Sequence, residues 1–212
     1  MLTFGLPKGR LQKPLLALLK ELGPLPDDLA SRRLVLERGD LRFLPLKDPD
    51  VPTYVEHGAA DLGVVGSDVL LEHPANVLEP LDLGFGRCTL ALAGYPETDL
   101  RAIHARGALR VATKYPRTAR RMLAQRGLVG EVIESAGSVE VSVLAGLADC
   151  IVDLVETGKT LESNGLVILE PLIDISARLV INRAAFRLRS AELMQLTETL
   201  KRRAREAGHE AT

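Results

Sequence analysis

The chain has no tryptophan, three tyrosines and four phenylalanines among its 212 residues. With aromatic side chains at 3%, aliphatic packing must build the core, and few rings are available to stack on a ligand base. Only two cysteines occur, Cys88 and Cys150, both inside apolar runs (RCTLALA and ADCIVDLV). Neither has CxxC or Cys/His spacing, which argues against a disulfide framework or a thiolate metal site; two small buried hydrophobes are expected. The four histidines, His57, His73, His104 and His209, form no metal spacing either. Net charge is −1, so no broad basic field points to nucleic acid or an anionic membrane. No apolar run approaches the roughly 18 residues of a membrane span. The start, MLTFGLPKGRLQ, turns charged too soon for a signal peptide. A soluble, cytoplasmic protein with neither membrane nor nucleic acid as a partner is expected.

What is present is ordinary globular material, 46% hydrophobic and 26% charged. Short β-type runs at 2–6, 41–46, 62–65, 88–93, 110–113, 150–155, 167–169 and 177–182 alternate with helical patterns. Leu11, Leu15, Leu18, Leu19 and Leu22 recur at helical spacing. Pro116 at the start and Gly127 after the end bracket a helix over 117–125. Ser138 is placed to cap a helix reaching about residue 147, and Leu193, Leu196 and Leu200 mark a final helix whose tail, KRRAREAGHEAT, reads as solvated. Strands alternating with helices predict an α/β fold of parallel βαβ units, whose ligands sit beyond the carboxyl ends of the strands. The polar segments PKGR, GSD, TKYPR and ETGKT follow such strands. Breaks near residues 92–99 and 172–177 predict a discontinuous first domain, 1–92 plus 177–212, with a second, 93–176, inserted into it.

The segment 150–161, CIVDLVETGKTL, is the most informative. An apolar strand runs into Glu156, Thr157, Gly158, Lys159 and Thr160, and Leu161 begins a helical pattern. Strand, glycine turn and helix start make a phosphate cradle: the glycine lets the backbone approach an anion, and successive N–H groups and hydroxyls donate to it. A P-loop is excluded, because it needs a glycine where Asp153 stands. An ordinary strand-to-helix turn and a site for a phosphorylated sugar remain. In the second reading Thr157, Gly158, Lys159 and Thr160 hold a 5′-phosphate, while Asp153 accepts from ribose hydroxyls and stabilises positive charge on the ring.

The longer stretch 140–161, EVSVLAGLADCIVDLVETGKTL, resembles the signature of the ATP phosphoribosyltransferases. So do LPKGRL, DVPTYVEHGAADLGVVGSD, LGFGRCTLALAG, RVATKYPRTARR and NGLVILEPLIDISARLVINRAAF, which together cover most of the chain to about Arg187. The resemblance implies transfer of a phosphoribosyl group from phosphoribosyl pyrophosphate to N1 of the adenine of ATP, at the head of histidine biosynthesis, with loss of pyrophosphate and help from Mg²⁺. It also implies a two-domain, periplasmic-binding-protein-like (type II) fold with the active site in the interdomain cleft. The chain stops about twenty-five residues after Arg187, which matches the short form of the family, without a C-terminal regulatory domain. That form works in hetero-oligomers with a regulatory subunit resembling a histidyl-tRNA synthetase; a homodimer of this chain inside such an assembly is expected.

Attack at the anomeric carbon builds charge on the ribose and on the departing pyrophosphate, so catalysis needs positioning and electrostatics more than a nucleophilic side chain. Asp153, Lys8 and Arg10 are the expected catalytic residues, the two cations serving a polyphosphate. Glu156 accepts from the sugar or only caps its turn. Asp68 contacts substrate or Mg²⁺, or caps a helix; Asp50 is open to the same two readings. Lys114 is a candidate for the ATP phosphates and Glu140 for the nucleotide. Tyr54 and Tyr115 pack near adenine or in the core. Two alternatives have different chemistry: a phosphoribosyltransferase for another base, and an anion-binding module without turnover.

Overall fold

The apolar run at Leu2–Pro7 forms β1, the strand around which one sheet is built. The computed structural model describes residues 1–20, 33–107 and 109–212. These form two units: Met1–Arg87 with Ser176–Thr212, and Cys88–Ile175. In the first unit, β1 lies parallel to β3 (Leu41–Leu46) and β4 (Leu62–Gly66), with Phe4 opposite both Phe43 and Leu62. β2 (Leu36–Arg38), β11 (Ala177–Ile181) and β5 (Leu78–Asp82) complete the order β2-β3-β1-β4-β11-β5. β11 runs antiparallel to both its neighbours. In the second unit the order is β10-β6-β9-β7-β8, with β6 (Cys88–Gly94), β7 (Arg110–Thr113), β8 (Glu131–Glu134), β9 (Cys150–Val155) and β10 (Val167–Ile175). Here β7 is parallel to β8 and β9, whereas β6 is antiparallel to β9 and β10. Both sheets are therefore mixed, not the parallel sheets expected, since periodicity reports burial but not strand direction. The expected boundary at 92/93 falls inside β6, a strand that stays whole in the second sheet because both its edges are hydrogen-bonded there.

Helices cover the sheets; α4 (Leu100–Ala105) follows β6 and α8 (Arg183–Leu188) follows β11. α1 (Gln12–Lys20) and α9 (Ser190–Glu206) pack Leu15, Leu18, Leu19, Leu193 and Leu200 into the core around Phe4 and Phe43. Leu22 lies outside the described residues. α2 (Asp50–Glu56) and α3 (Ser67–Glu72) bury Val51, Val55 and Val69. α5 (Pro116–Gln125) starts on its proline, as its sequence predicts, and Gly127 follows its end at φ 69°. α6 is shorter than expected, Glu140–Leu144, and Val139 rather than Ser138 occupies its cap position. Gly146, at φ 71°, ends it: the N–H groups of Leu147 and Ala148 both turn back to the Ser142 carbonyl. The C-terminal tail is mostly exposed, as expected, but it is anchored. Ala204 and Ala211 are buried, Thr212 exchanges backbone hydrogen bonds with Asp82, and the His209 ring lies 5.6 Å from Phe85. Small alanines spaced among arginines give no obvious apolar stripe, yet they form a core face.

Parallel neighbours deliver their following segments to one sheet edge. In the first unit that edge collects the segments after β1, β3 and β4; in the second, those after β7, β8 and β9.

Candidate functional site

In the second unit β9 carries Asp153 just beyond its pairing with β7, where the residue is 8% exposed. Its Oδ1 accepts the Leu154 N–H at 2.8 Å, and Lys114 Nζ lies 3.3 Å from Oδ2. Burial pushes this carboxyl above its usual range; the Leu154 N–H and Lys114 oppose the rise, and the negative charge of Glu140 adds to it. The turn beyond is built on Gly158, whose φ of 76° lies in the left-handed region that glycine enters at little cost. It caps α7 (Lys159–Glu162), whose first backbone bond runs from the Glu162 N–H to the Gly158 carbonyl. The N–H groups ahead of that bond have no partner within the helix and are free to meet an anion. Leu161, buried against Val139, Ile151 and Leu166, pins the turn to the unit. Glu140, Glu156, Thr157, Gly158, Lys159 and Thr160 line one pocket of about 250 Å³. The local chemistry is a donor-rich anion cradle beside a buried carboxylate. Lys114, expected at a phosphate, is paired with Asp153.

The first unit collects a second group. Lys8 and Arg10 follow β1, and both are exposed. Arg10 donates to the Gly86 carbonyl through Nη1, and its Nη2 lies 3.4 Å from Oδ1 of Asp68. Asp68 is buried in the first turn of α3, directly after the Gly66 N-cap and Ser67. A Cβ on Gly66 would lie 2.1 Å from Asp68 Oδ1, so only glycine leaves that carboxylate room. Asp50 is the exposed first residue of α2, with no capping bond, and Tyr54 lies on the same helix.

Asp48 is a residue that the sequence pattern does not single out. Its Oδ1 is buried and, among the described residues, has no hydrogen-bond partner. Burial, then the charge of Asp68, raise its pKa from 3.8 to about 6, with Arg10 opposing. The polar segments after strands contain the signal, because KDPD follows β3 as GSD follows β4.

Two mixed α/β units, the first interrupted by the second, define the periplasmic-binding-protein class of fold. The chain superimposes on the periplasmic aliphatic sulphonate binding protein SsuA of Escherichia coli with a TM-score of 0.63 over 96% of this chain and 72% of that one. At 13% identity that likeness speaks for the fold alone. The profile of the ATP phosphoribosyltransferase family matches residues 47–202. An ATP phosphoribosyltransferase of Methylococcus capsulatus is 50% identical over 207 residues, 95% of each chain. The ATP phosphoribosyl transferase (HisG:HisZ) complex from Thermotoga maritima matches with a TM-score of 0.85 and 33% identity, over 97% of this chain and all of that one. The chain belongs to the ATP phosphoribosyltransferase family.

Proposed function

We propose that the chain is the catalytic subunit of a short-form ATP phosphoribosyltransferase. It joins N1 of the adenine of ATP to the anomeric carbon of phosphoribosyl pyrophosphate, releasing pyrophosphate, as the first step of histidine biosynthesis in the cytoplasm. The observation that carries the site assignment is the juxtaposition of buried Asp153 with the left-handed Gly158 turn at the end of β9.

The turn of Thr157, Gly158, Lys159 and Thr160 grips the 5′-phosphate through backbone N–H groups, two hydroxyls and one ammonium. Asp153 accepts from the ribose hydroxyls and supplies negative charge as the ring becomes cationic. Glu156, on the rim of the turn, is a second acceptor for the sugar. Glu140, lining the same pocket, contacts the nucleotide. Lys8 and the planar fork of Arg10 serve a polyphosphate, and Asp68 sets the direction of that fork.

Mg²⁺ enters as part of the substrate. Among the described residues no three His, Cys, Asp or Glu side chains converge on a metal position, so a resident protein cage does not fit. A Mg²⁺ that keeps most of its water and rides on the diphosphate does. The partner, by analogy with the HisG:HisZ complex of the relative, is a regulatory subunit resembling a histidyl-tRNA synthetase, with this chain present as a homodimer in the hetero-oligomer. No helix among the described residues is long and apolar enough to cross a membrane.

The test is an assay with ATP, phosphoribosyl pyrophosphate and Mg²⁺, with and without the regulatory subunit. It follows pyrophosphate and the N1-ribosylated nucleotide. Product that requires both substrates supports the reading. Tight binding of phosphoribosyl pyrophosphate without turnover refutes it in favour of a binding module, and turnover with a free base but not ATP refutes it in favour of another transferase.

A further inference from the structure

Asp153 faces different charges from each element packed around it. Across β6 its partner is Ala91, which brings no charge. From α6, Glu140 adds negative potential, and from the turn after β7, Lys114 brings a cation. The pairing is set up by the backbone. Thr113 and Val152 are register partners between parallel β7 and β9, so Lys114, the first residue beyond β7, comes beside Asp153, the next residue of β9. The Thr113 hydroxyl, wholly buried, locks that exit. It donates to the Val152 carbonyl at 2.6 Å and accepts the Tyr115 N–H at 2.9 Å, gripping the chain on both sides of Lys114.

We propose that Lys114 is a positioning residue: its ammonium holds the Asp153 carboxylate ionised and fixed in orientation, rather than binding a phosphate itself. The proposal rests on the phosphoribosyl-transfer reading of this site. Each Asp153 oxygen has one donor, the Leu154 N–H at Oδ1 and Lys114 at Oδ2, which leaves a lone-pair direction on each oxygen for a vicinal diol. Without Lys114, burial and Glu140 are opposed by a single backbone N–H. Asp153 then takes up a proton more readily, losing both an acceptor direction and the charge that a cationic ribose requires. Lys114 is not a core strut, as its side chain is 42% exposed, so its replacement leaves the strand pairing in place.

The test compares wild type, Lys114→Met and Lys114→Arg in the complex with the regulatory subunit, recording kcat and both KM values against pH. With Met, kcat falls on the order of tenfold or more. The acid limb of the kcat profile moves to higher pH. KM for ATP changes less than about twofold, as expected of a group that binds no ATP phosphate. Arg, which restores a cation, recovers both the rate and the limb. A raised KM for ATP with an unmoved limb makes Lys114 a phosphate ligand and overturns the proposal, as does an unchanged kcat or a loss that Arg leaves uncorrected. A wild-type complex that forms no product sinks the transferase reading instead, a result separable from any behaviour of the variants.

Discussion

Asp48→Asn makes the protein more stable at neutral pH. The half-buried carboxyl of Asp48 titrates near 6 instead of 3.8 because burial and the neighbouring Asp68 disfavour its charge more than Arg10 favours it. At about 1.36 kcal/mol per pH unit, that displacement sets a ceiling of about 3 kcal/mol, and solvent screening of a half-exposed group brings this to about 1–2 kcal/mol. Between about pH 4 and pH 6 the folded protein keeps a proton that the unfolded chain has released, so stability falls as pH rises through that window and stays lower above it. Asn carries no charge to desolvate. The variant therefore matches wild type near pH 4, gains progressively up to pH 6, and holds the full gain at pH 8. For a chain of this length each kcal/mol is about 2–4 °C in Tm, so a rise of about 2–8 °C is expected at pH 8. Calorimetric melts of both proteins at pH 4, 5, 6 and 8 measure it. A gain that is the same at every pH, or a variant less stable at pH 8, refutes the reasoning and gives the buried Oδ1 a partner it lacks here.

Asp153→Asn preserves the fold and lowers kcat by about a hundredfold or more, while phosphoribosyl pyrophosphate still binds, as equilibrium binding reads out; a rate near wild type removes Asp153 from the mechanism. Thr157→Val raises KM for phosphoribosyl pyrophosphate about tenfold with little change in kcat, the cost of one charge-assisted hydrogen bond. Unaltered affinity shows the cradle to be elsewhere. Gly66→Ala drives a methyl group to within 2.1 Å of Asp68 Oδ1, so the carboxylate must leave Arg10. Its steady-state defect should match that of Arg10→Met, and normal kinetics in Gly66→Ala disconnect the Arg10–Asp68 pair from turnover.

The central strands were legible because strands covered on both faces read as continuous apolar runs: 41–46, 110–113 and 150–155 coincide with β3, β7 and β9. The edges were not. β2 (LER), β5 (LEPLD) and β8 (EVIE) went unseen, and each sits at the rim of its sheet, where one side lacks a neighbour and charge or proline is tolerated. β10, the fourth rim strand, was read to residue 169 but runs to Ile175. Glu170 and Pro171 break its pattern, and register shifts beside them absorb the break. The phosphate turn was visible because its residues are contiguous. The pairing of Lys114 with Asp153 was not, since it depends on the parallel register of two strands far apart in sequence. Asp48 escaped because its character comes first from burial and then from Asp68, both of which depend on the fold and not on the neighbouring residues in sequence.

The place of β11 has a consequence for the order in which a growing chain can fold. Synthesis delivers β1 to β5 first, yet β11 must lie between β4 and β5, and Leu193, Leu200 and Ala204 must still join the same core. The second unit, continuous from Cys88 to Ile175, is complete before any of these residues emerge. On a translating ribosome the later-encoded unit is therefore the first able to close its sheet, while β4 and β5 wait with unpaired edges for a strand not yet made.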